Sequence, residues 1–438
     1  MAGLLKNQKA RLTLNINAIL VELFKRDGCL DVIHGIKKLA ERGQIEFTET
    51  AKYHPFLPLL PESEIIRQIH LNHITNKKFF GKAYRPIGLF PTEMGYAPKI
   101  ARVAQKLGYR WIIMDELAHP NHRNISRDTV YHLKGNENLS FFFRERDVSF
   151  RILSAQVGIS VFSSKMLVNL LGKRLQQNNY LITAMDGETF GHHRPGLDQL
   201  LFDLYKVPQI KSVKISDLPD LFPKREGIIP HSSSWALMQR DIEQNTPFSR
   251  WNDKDNEIHQ AQWQLTNLAI RLVHNLNSKS KSYPAIRRAL DRSLHSDQYW
   301  WASAMPWWSI EMIEAGAKEL RDVVQMIPGV PKTTYQTAER LYQSIVFSAF
   351  EWQRIGKVES LARLADEDVT QRITMEMPYI PIKEFNSIVN NLSRQMLEAA
   401  KNREYERAAQ IRDRITELQE KKHLLTKKHG SRRKKKTA

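Results

Sequence analysis

Two acids and two histidines follow an apolar run near the middle of the chain. The run Tyr180–Ala184 is followed by Asp186, Glu188, His192 and His193. Carboxyl and imidazole groups at such a point can transfer protons or hydrogen-bond a polar substrate. We predict a short buried strand or a helix end here, with Asp186 as the first residue after the strand, because loops after strand ends carry the chemistry of parallel α/β folds. A polar loop with a capping aspartate is the alternative for the two acids.

A third acid lies at another predicted strand end. Ile87–Phe90 reads as a strand that ends in a proline turn, and this turn presents Glu93. Upstream, the strand-like Gln44–Thr48 leads to His54, which precedes a proline and is therefore predicted to have an extended backbone.

Glu93 and Asp186 together suggest glycoside cleavage. This reaction requires two carboxyl groups, one that attacks or stabilises the anomeric carbon and one that protonates the leaving oxygen. Their separation sets the stereochemistry, at about 5–5.5 Å for retention and about 6.5–9.5 Å for inversion.

Other polar residues near these ends have two interpretations each. Asp115 and Glu116 follow the strand-like Trp111–Met114, so they either join the site or bond backbone groups. His192 and His193 either contact a sugar or cap their loop.

Four tryptophans occur in a later helical stretch. Adjacent indoles such as Trp300 and Trp301 offer flat apolar faces on which sugar rings can pack. Consecutive tryptophans on a helix point in different directions, so at least two of Trp300, Trp301, Trp307 and Trp308 are expected in a helix–helix core.

Composition limits the class of protein. A chain of 438 residues suggests two or three domains, and no apolar run approaches the roughly 20 residues of a membrane span. Leu12–Phe24 is predicted to be a helix of the mature protein, which places the chain in the cytoplasm. The single cysteine, Cys29, excludes an intrachain disulfide and a cysteine-built metal site.

About half of the net charge of +19 lies at one end of the chain. The last 18 residues, from Lys421, contain nine lysines or arginines and no acid. We predict a disordered basic tail over 421–438 that contacts polyanions without sequence preference. A solubilising end without a partner is the alternative.

Strand-like and helical stretches alternate between about residues 44 and 235. This alternation predicts a parallel sheet with crossover helices, either a barrel or a doubly wound sheet. After about residue 255 the sequence is helical nearly throughout, and we predict a helical domain over 255–380. The further strand-like runs are Leu139–Phe142 and Ile228–Ile229, and the helical stretches include Glu62–Ile74, Pro98–Leu107 and Val157–Gln177.

These motifs resemble glycoside hydrolase family 57, a group of α-glucan-active enzymes with a (β/α)7 barrel and a helical segment. The resemblance runs from about Leu12 to Val324 and implies a barrel over 1–254. It implies that Glu93 is the nucleophile, in a stretch usually written with a tryptophan where this chain has Phe90. It implies that Asp186 is the acid/base residue.

The resemblance also assigns substrate-binding residues, with no metal or organic cofactor needed. Glu188 lies beside Asp186, and the Tyr-His-Pro stretch around His54 resembles the family's second motif. Asp297, with Trp300 and Trp301, is similar to the last motif, which closes the sugar site from the helical segment.

One family motif has no counterpart in this sequence. The family's His-Gln-Pro, which follows an N-terminal strand, is absent, and the only histidine upstream of Gly43 is His34 in a helix-like stretch. We therefore expect the chain to begin after the point of the first barrel strand, either as a truncated chain or as an opened barrel.

The segment 384–420 is predicted to be a helical hairpin with a turn near Asn402–Arg403. Apolar or small residues recur along it at three- and four-residue steps. Glu404–Ile415 closely resembles the UVR motif of the excision-repair proteins UvrB and UvrC, which implies contact with a protein partner or a second copy. A generic charged hairpin is the alternative.

Three functions are compatible with these observations. The first is a retaining α-glucan hydrolase or transferase. The second is a catalytically inactive sugar-binding or scaffold barrel that acts as an adaptor through its hairpin, which the missing first strand favours. The third, a metal-dependent carbohydrate deacetylase, is disfavoured because no paired aspartates with a His-x-x-x-His spacing occur.

Overall fold

The computed structural model describes residues 2–153, 163–191, 197–372, 382–420 and 422–426. Its described residues contain two sheets and many helices. The strands are β1 (Leu12–Leu14), β2 (Ile45–Phe47), β3 (Gly88–Leu89), β4 (Trp111–Asp115), β5 (Thr129–Leu133), β6 (Asn136–Arg144) and β7 (Lys224–Ile228).

The described helices are most numerous in the second half of the chain. In order they are α1 (Ala2–Lys6), α2 (Ala18–Arg26), α3 (Leu30–Glu41), α4 (Glu62–Phe80), α5 (Pro98–Lys106), α6 (Arg146–Leu153), α7 (Ser164–Leu171), α8 (Asp198–Leu204), α9 (Leu218–Leu221), α10 (Gln239–Glu243), α11 (Glu257–His274), α12 (Tyr283–Ser293), α13 (Asp297–Trp300), α14 (Ile310–Gln325), α15 (Lys332–Arg354), α16 (Lys357–Arg372), α17 (Ile382–Lys401), α18 (Tyr405–Glu420) and α19 (Lys422–Thr426).

The chain folds into two compact units. Unit 1 comprises Arg11–Phe143 and Val213–Ile373, and unit 2 comprises Ala2–Ala10, Arg144–Ser212 and Thr374–Ala438. Glu93 therefore lies in unit 1 and Asp186 in unit 2. No described helix is long and apolar enough to cross a membrane.

Unit 1 contains both sheets. β1 pairs with β2 in parallel, and the second sheet has the order β3-β4-β6-β5-β7. An isolated parallel bridge between Glu49 and Leu89 links the end of β2 to β3. These findings establish a mixed α/β fold with a helical region after residue 255, as the sequence predicted.

The prediction of a parallel sheet is wrong for the pair β5 and β6. β5 and β6 are antiparallel, whereas β3 with β4 and β5 with β7 are parallel. The chain reverses at Lys134–Gly135, where Gly135 has a φ of +85°. A tight turn of this kind joins antiparallel neighbours, since parallel strands need a long crossover.

The N-terminal prediction is also wrong. Leu12–Leu14 is a strand rather than the start of a helix. This strand lies upstream of Gly43 and pairs in parallel with β2. The helix begins only at Ala18, whose amide donates to the Asn72 side-chain oxygen at 2.7 Å. The expectation that the first strand is missing is therefore overturned, although the sequence after β1 still lacks His-Gln-Pro.

Tyr180–Ala184 is not a strand. Its backbone is hydrogen-bonded to the residue that precedes α6 instead of to a strand. The Ile182 carbonyl accepts a hydrogen bond from the Glu145 amide at 2.8 Å. The Ala184 amide donates to the Ser149 hydroxyl at 3.4 Å. The segment is apolar because it packs in unit 2, not because it pairs with other strands.

The apolar core of unit 1 lies between the second sheet and the helices. Ile112, Met114 and Phe141 from the strands belong to one buried cluster with Leu265 and Leu320 from α11 and α14. This shared core fixes the helical region against the strand ends that carry polar residues.

The described residues after 381 form the predicted helical hairpin. α17 and α18 enclose a buried core of Phe385, Leu392, Ala399, Ile411 and Leu418. The turn lies at Asn402–Arg403, as the sequence indicated. The basic residues 427–438 lie outside the described residues.

Candidate active site

Glu93 lies in a strained turn directly after β3. Glu93 and Met94 have φ values of +60° and +48°, a backbone conformation that side-chain-bearing residues rarely adopt. Two backbone hydrogen bonds close the turn. The Met94 amide donates to the Pro91 carbonyl at 2.8 Å, and the Gly95 amide donates to the Thr92 carbonyl at 2.9 Å. Strain of this kind costs on the order of 1–3 kcal/mol per residue and is concentrated at functional sites.

The Glu93 carboxylate receives one hydrogen bond on each oxygen. His54 Nε2 lies 2.7 Å from Oε1, and the Trp235 indole N–H donates to Oε2. Burial raises the pKa of the Glu93 carboxyl, but the bond and charge of His54 and the bond from Trp235 together lower it below its ordinary value. Glu93 is therefore held as a carboxylate near neutral pH.

His54 is positioned by the loop that carries Asp297. The His54 carbonyl accepts from the Ser296 amide at 2.9 Å, and Pro55 pairs with His295 in an isolated antiparallel bridge. The φ of His54 is +55°, so the prediction of an extended backbone is wrong. The pairing with the 295–296 segment imposes this conformation despite the following proline.

Two further ionisable groups surround His295. Its Nδ1 lies 3.8 Å from an oxygen of Asp297, and its Nε2 lies 4.0 Å from an oxygen of Glu319. Burial lowers the pKa of His295 below its ordinary value, although both carboxylates act in the opposite direction. The structure thus brings His54, Glu93 and the Asp297 segment together within unit 1.

Trp300 and Trp301 have different neighbours. The Trp300 ring lies 5.5 Å from Trp235 and 5.3 Å from the fully buried Trp251, measured between ring centroids. Trp301 makes an edge contact with Trp307 at 6.0 Å. Trp300 therefore has contacts both with the core and with the residue that bonds Glu93.

Trp308, from the same stretch of tryptophans, packs against the hydrophobic core. Trp308 stacks on the buried Trp352 of α15 at 5.9 Å between ring centroids. This contact agrees with the expectation that part of the tryptophan cluster is structural.

Asp186 lies in unit 2 at the start of a short turn. It precedes the 3-10 turn Gly187–Thr189, and the side chains of both Asp186 and Glu188 are exposed. The flanking residues Met185 and Phe190 pack on an apolar cluster of unit 2. His192 and His193, predicted to contact the sugar, lie outside the described residues.

Asp115 and Glu116 serve local structure. Asp115 is fully buried and accepts a hydrogen bond from the Leu117 amide at 3.1 Å. The Arg127 guanidinium donates a hydrogen bond to a carboxylate oxygen of Glu116 at 2.8 Å. Of the two alternatives left open by the sequence, these contacts favour the local one. Among the described residues, no group of three or more potential ligands could hold a metal ion.

Sequence reasoning missed Trp235. It lies in the loop that follows β7 after Ile228, and its amide donates to the Glu93 carbonyl at 3.1 Å. The available signal was a lone tryptophan in a serine-rich loop after a strand. Its partner is distant in sequence, so no spacing pattern connects the two.

Comparison with known proteins identifies two segments. Residues 2–217 match the family described as glycosyl hydrolase family 57, and residues 386–421 match the UvrB/uvrC motif. Both resemblances predicted from the motifs are confirmed for these segments.

Individual relatives match at low identity. An alpha-amylase from Pyrococcus horikoshii is 24% identical over 197 residues, which are 44% of this chain and 29% of that protein. The chain spans less than a third of the length of the curated relatives that it matches.

Two solved structures share the fold. A family 57-type branching enzyme from Pyrococcus horikoshii has a TM-score of 0.57 and 18% identity, over 82% of this chain and 77% of its own. A family 57 branching enzyme from Thermococcus kodakaraensis has a TM-score of 0.56 and 16% identity, over 75% and 76% respectively.

Proposed function

We propose that this chain, whose residues 2–217 match glycosyl hydrolase family 57, is an enzyme that cleaves or transfers α-glucan bonds. The names of its relatives, an alpha-amylase and two branching enzymes, support this substrate class. The observation that carries the proposal is the Glu93 carboxylate, which is fixed by one donor on each oxygen and lies beside an aromatic pair.

The proposed mechanism is a double displacement. Glu93 forms a bond to the anomeric carbon while the bond to the leaving oxygen breaks, and Asp186 gives its proton to that oxygen. Asp186 then takes a proton from water or from a sugar hydroxyl as this acceptor displaces Glu93. The mechanism requires the two carboxyl groups to be about 5–5.5 Å apart.

The environment of Glu93 suits the role of nucleophile. A nucleophilic carboxylate must stay ionised at working pH, and the donors from His54 and Trp235 lower its pKa. Hydrogen bonds to the carboxylate also make it a better leaving group in the second step, because they stabilise the charge that returns to it.

The rest of the sugar site is assigned by analogy with the matched family. We place His54, Asp297, Trp300 and Trp301 on the substrate side of unit 1, around Glu93. From unit 2 the proposal adds the residues that flank the acid, which are Glu188, His192 and His193.

For the fold, we propose a (β/α)7-type barrel over 1–254, followed by a helical domain over 255–380. The parallel pairs β1 with β2, β3 with β4 and β5 with β7 support it. The presence of β1 also weakens the scaffold alternative, whose main support was a missing first strand.

The test is turnover of maltooligosaccharides by the full chain and its variants. Glu93→Gln should abolish turnover and Asp186→Asn should lower it at least roughly a hundredfold, while the circular dichroism and melting temperature stay near wild type. Glu62→Gln, which alters a surface carboxylate paired with Arg102, is the matched control and should keep wild-type turnover. Unchanged turnover in both active-site variants would refute the assignment.

If the wild-type chain shows no turnover, calorimetry with the same sugars separates the alternatives. Binding without chemistry would support the sugar-binding scaffold. Neither binding nor turnover would remove α-glucans as the ligand class.

We also propose that the hairpin over 384–420 binds a protein partner, from its match to the UvrB/uvrC motif. Leu397 and Tyr405 near its turn are 64% and 68% exposed, so both side chains are accessible to a partner. Sedimentation of the full chain tests whether the partner is a second copy. In that case a concentration-dependent dimer forms and the double variant Leu397→Glu, Tyr405→Glu stays monomeric.

A further inference from the structure

Trp235 holds Glu93 by two independent bonds. Its indole N–H donates to the carboxylate, and its backbone amide donates to the Glu93 carbonyl at 3.1 Å. Because Glu93 has a left-handed backbone, its conformation must be maintained by its surroundings. Trp235 supplies both a main-chain and a side-chain part of that support.

The loop that carries Trp235 is itself fixed. Ser233 and Tyr96 exchange two backbone hydrogen bonds at 2.8 and 3.0 Å, and the His231 amide donates to the Ala118 carbonyl at 2.7 Å. Ser233 is fully buried and Tyr96 nearly so. The indole is therefore presented by a rigid element rather than by a mobile loop.

The ring of Trp235 has a second contact. It is tilted by 36° against Trp300, with the centroids 5.5 Å apart. One side chain thus connects the proposed nucleophile with an aromatic side chain predicted to bind the sugar.

We propose that Trp235 is a positioning residue for the reaction: its indole N–H orients the Glu93 carboxylate for attack, and its ring sets the orientation of Trp300. This inference rests on the proposed function. It adds a residue outside the motifs that suggested that function.

Trp235→Phe tests the role of the N–H because it keeps an aromatic ring. Loss of one hydrogen bond to a charged group should lower kcat roughly ten- to hundredfold. Since that bond lowers the pKa of Glu93, the acid-side fall of kcat/KM should move to higher pH. Trp352→Phe is the matched control, because it removes an indole bond to a different carboxylate, that of Glu257.

A readout without turnover separates this inference from the proposed function. Of the nine tryptophans, one indole N–H signal in the NMR spectrum should disappear in Trp235→Phe and shift in Glu93→Gln. No shift in Glu93→Gln, or an unchanged pH profile with kcat within twofold of wild type in Trp235→Phe, would overturn it.

A separate observation concerns α7 in unit 2, which contributes to two apolar clusters. Met166 packs against the hairpin core that contains Phe385 and Ile411. The next residue, Leu167, and Leu171 one turn later belong to a different cluster. α7 therefore lies between the hairpin and the rest of unit 2.

The second cluster holds the Asp186 loop. Met185 and Phe190, on both sides of Asp186, pack on the cluster that contains Leu167. Polar contacts also link α7 to this loop. The guanidinium of Arg174, just after α7, donates two hydrogen bonds to the Glu145 carboxylate at 2.6 and 2.7 Å. The Glu145 amide in turn donates to the Ile182 carbonyl.

We infer that the hairpin influences the placement of Asp186 through α7, so that a change in the packing of the hairpin changes the activity of the enzyme. The activity part of this inference rests on the proposed function. The structural coupling does not, and it can be measured alone.

Hydrogen exchange of the full chain tests the coupling. Met166→Ala should raise exchange in peptides from 405–420 and also from 181–191. Leu397→Ala, which truncates an exposed hairpin residue outside the cluster, should leave 181–191 unchanged. Unchanged exchange at 181–191 in Met166→Ala would overturn the inference, whether or not the wild-type chain turns over glucan.

Discussion

The two proposed catalytic acids are held in contrasting ways. In unit 1, Glu93 is fixed by a strained turn and by a donor on each carboxylate oxygen. In unit 2, Asp186 is exposed at the start of a short turn, and its neighbours Met185 and Phe190 supply the anchoring. Polar contacts therefore orient the nucleophile, and apolar packing on both sides anchors the loop that carries the acid.

The contrast suits the two roles. A nucleophile must remain charged and must aim at one atom, which directional hydrogen bonds achieve. An acid/base residue must exchange a proton in each cycle, and the side chain of Asp186 is exposed to solvent.

The largest expected effect separates the two acids by the leaving group. In an aryl α-glucoside with an acidic phenol, the phenolate leaves without being protonated. With this substrate, the rate of the first step in Asp186→Asn should return close to that of the wild-type chain. Glu93→Gln should stay inactive, because no protonation can replace the missing nucleophile. On natural glucans, loss of the acid should cost roughly 10²–10⁴-fold. Initial rates on both substrates give the answer, and equal recovery in both variants would contradict the roles.

The second effect compares the stability of buried and exposed ion pairs in the two units. Arg287 of unit 1, 5% exposed in its side chain, bonds both Glu64 and Asp291. Arg287→Ala should cost about 3–5 kcal/mol in unfolding free energy, because two carboxylates lose their buried partner. Arg174→Ala in unit 2, whose side chain is 39% exposed, should cost about 1 kcal/mol or less.

Chemical denaturation with tryptophan fluorescence and circular dichroism measures both costs. Equal losses of unfolding free energy in the two variants would show that the burial of the Arg287 ion pairs does not make them more important for stability than the Arg174 pair. Arg67, which also bonds Asp291 at 2.7 Å, limits the loss at that carboxylate.

The smallest effect concerns the pH profile. The pKa of Glu93 is below its ordinary value, so its ionised form is lost only as pH falls through that lowered value. His54→Ala removes one donor, which should raise this pKa and shift the acid-side fall of kcat/KM to higher pH. His54→Gln keeps an N–H near the same place and should restore part of the profile. The same acid-side fall in all three proteins would show that His54 does not control Glu93.

Several elements were predictable from the sequence because their signals are local. The strands around Ile45, Leu89 and Ile112 are short apolar runs with turns at their ends, and the hairpin helices repeat apolar residues at helical spacing. Glu93 was found because a proline turn directly follows a strand. Each of these features depends on neighbouring residues only.

The failures come from contacts between distant parts of the chain. Tyr180–Ala184 has the composition of a strand, but it bonds α6 and not a sheet. Leu12–Leu14 was assigned to a helix because a strand of three residues gives almost no periodic signal. The backbone of His54 and the role of Trp235 both depend on partners more than 100 residues away.

The central claim, that Glu93 is the nucleophile of an α-glucan enzyme, is tested most directly by trapping the covalent intermediate. The full chain is incubated with a fluorinated α-glucosyl fluoride, which slows the second step, and is analysed by peptide mass spectrometry. The account predicts one added fluoroglucosyl group, on the Glu93 side chain, and none in Glu93→Gln. A label on a different carboxylate, or no label in a chain that turns over maltooligosaccharides, would contradict it.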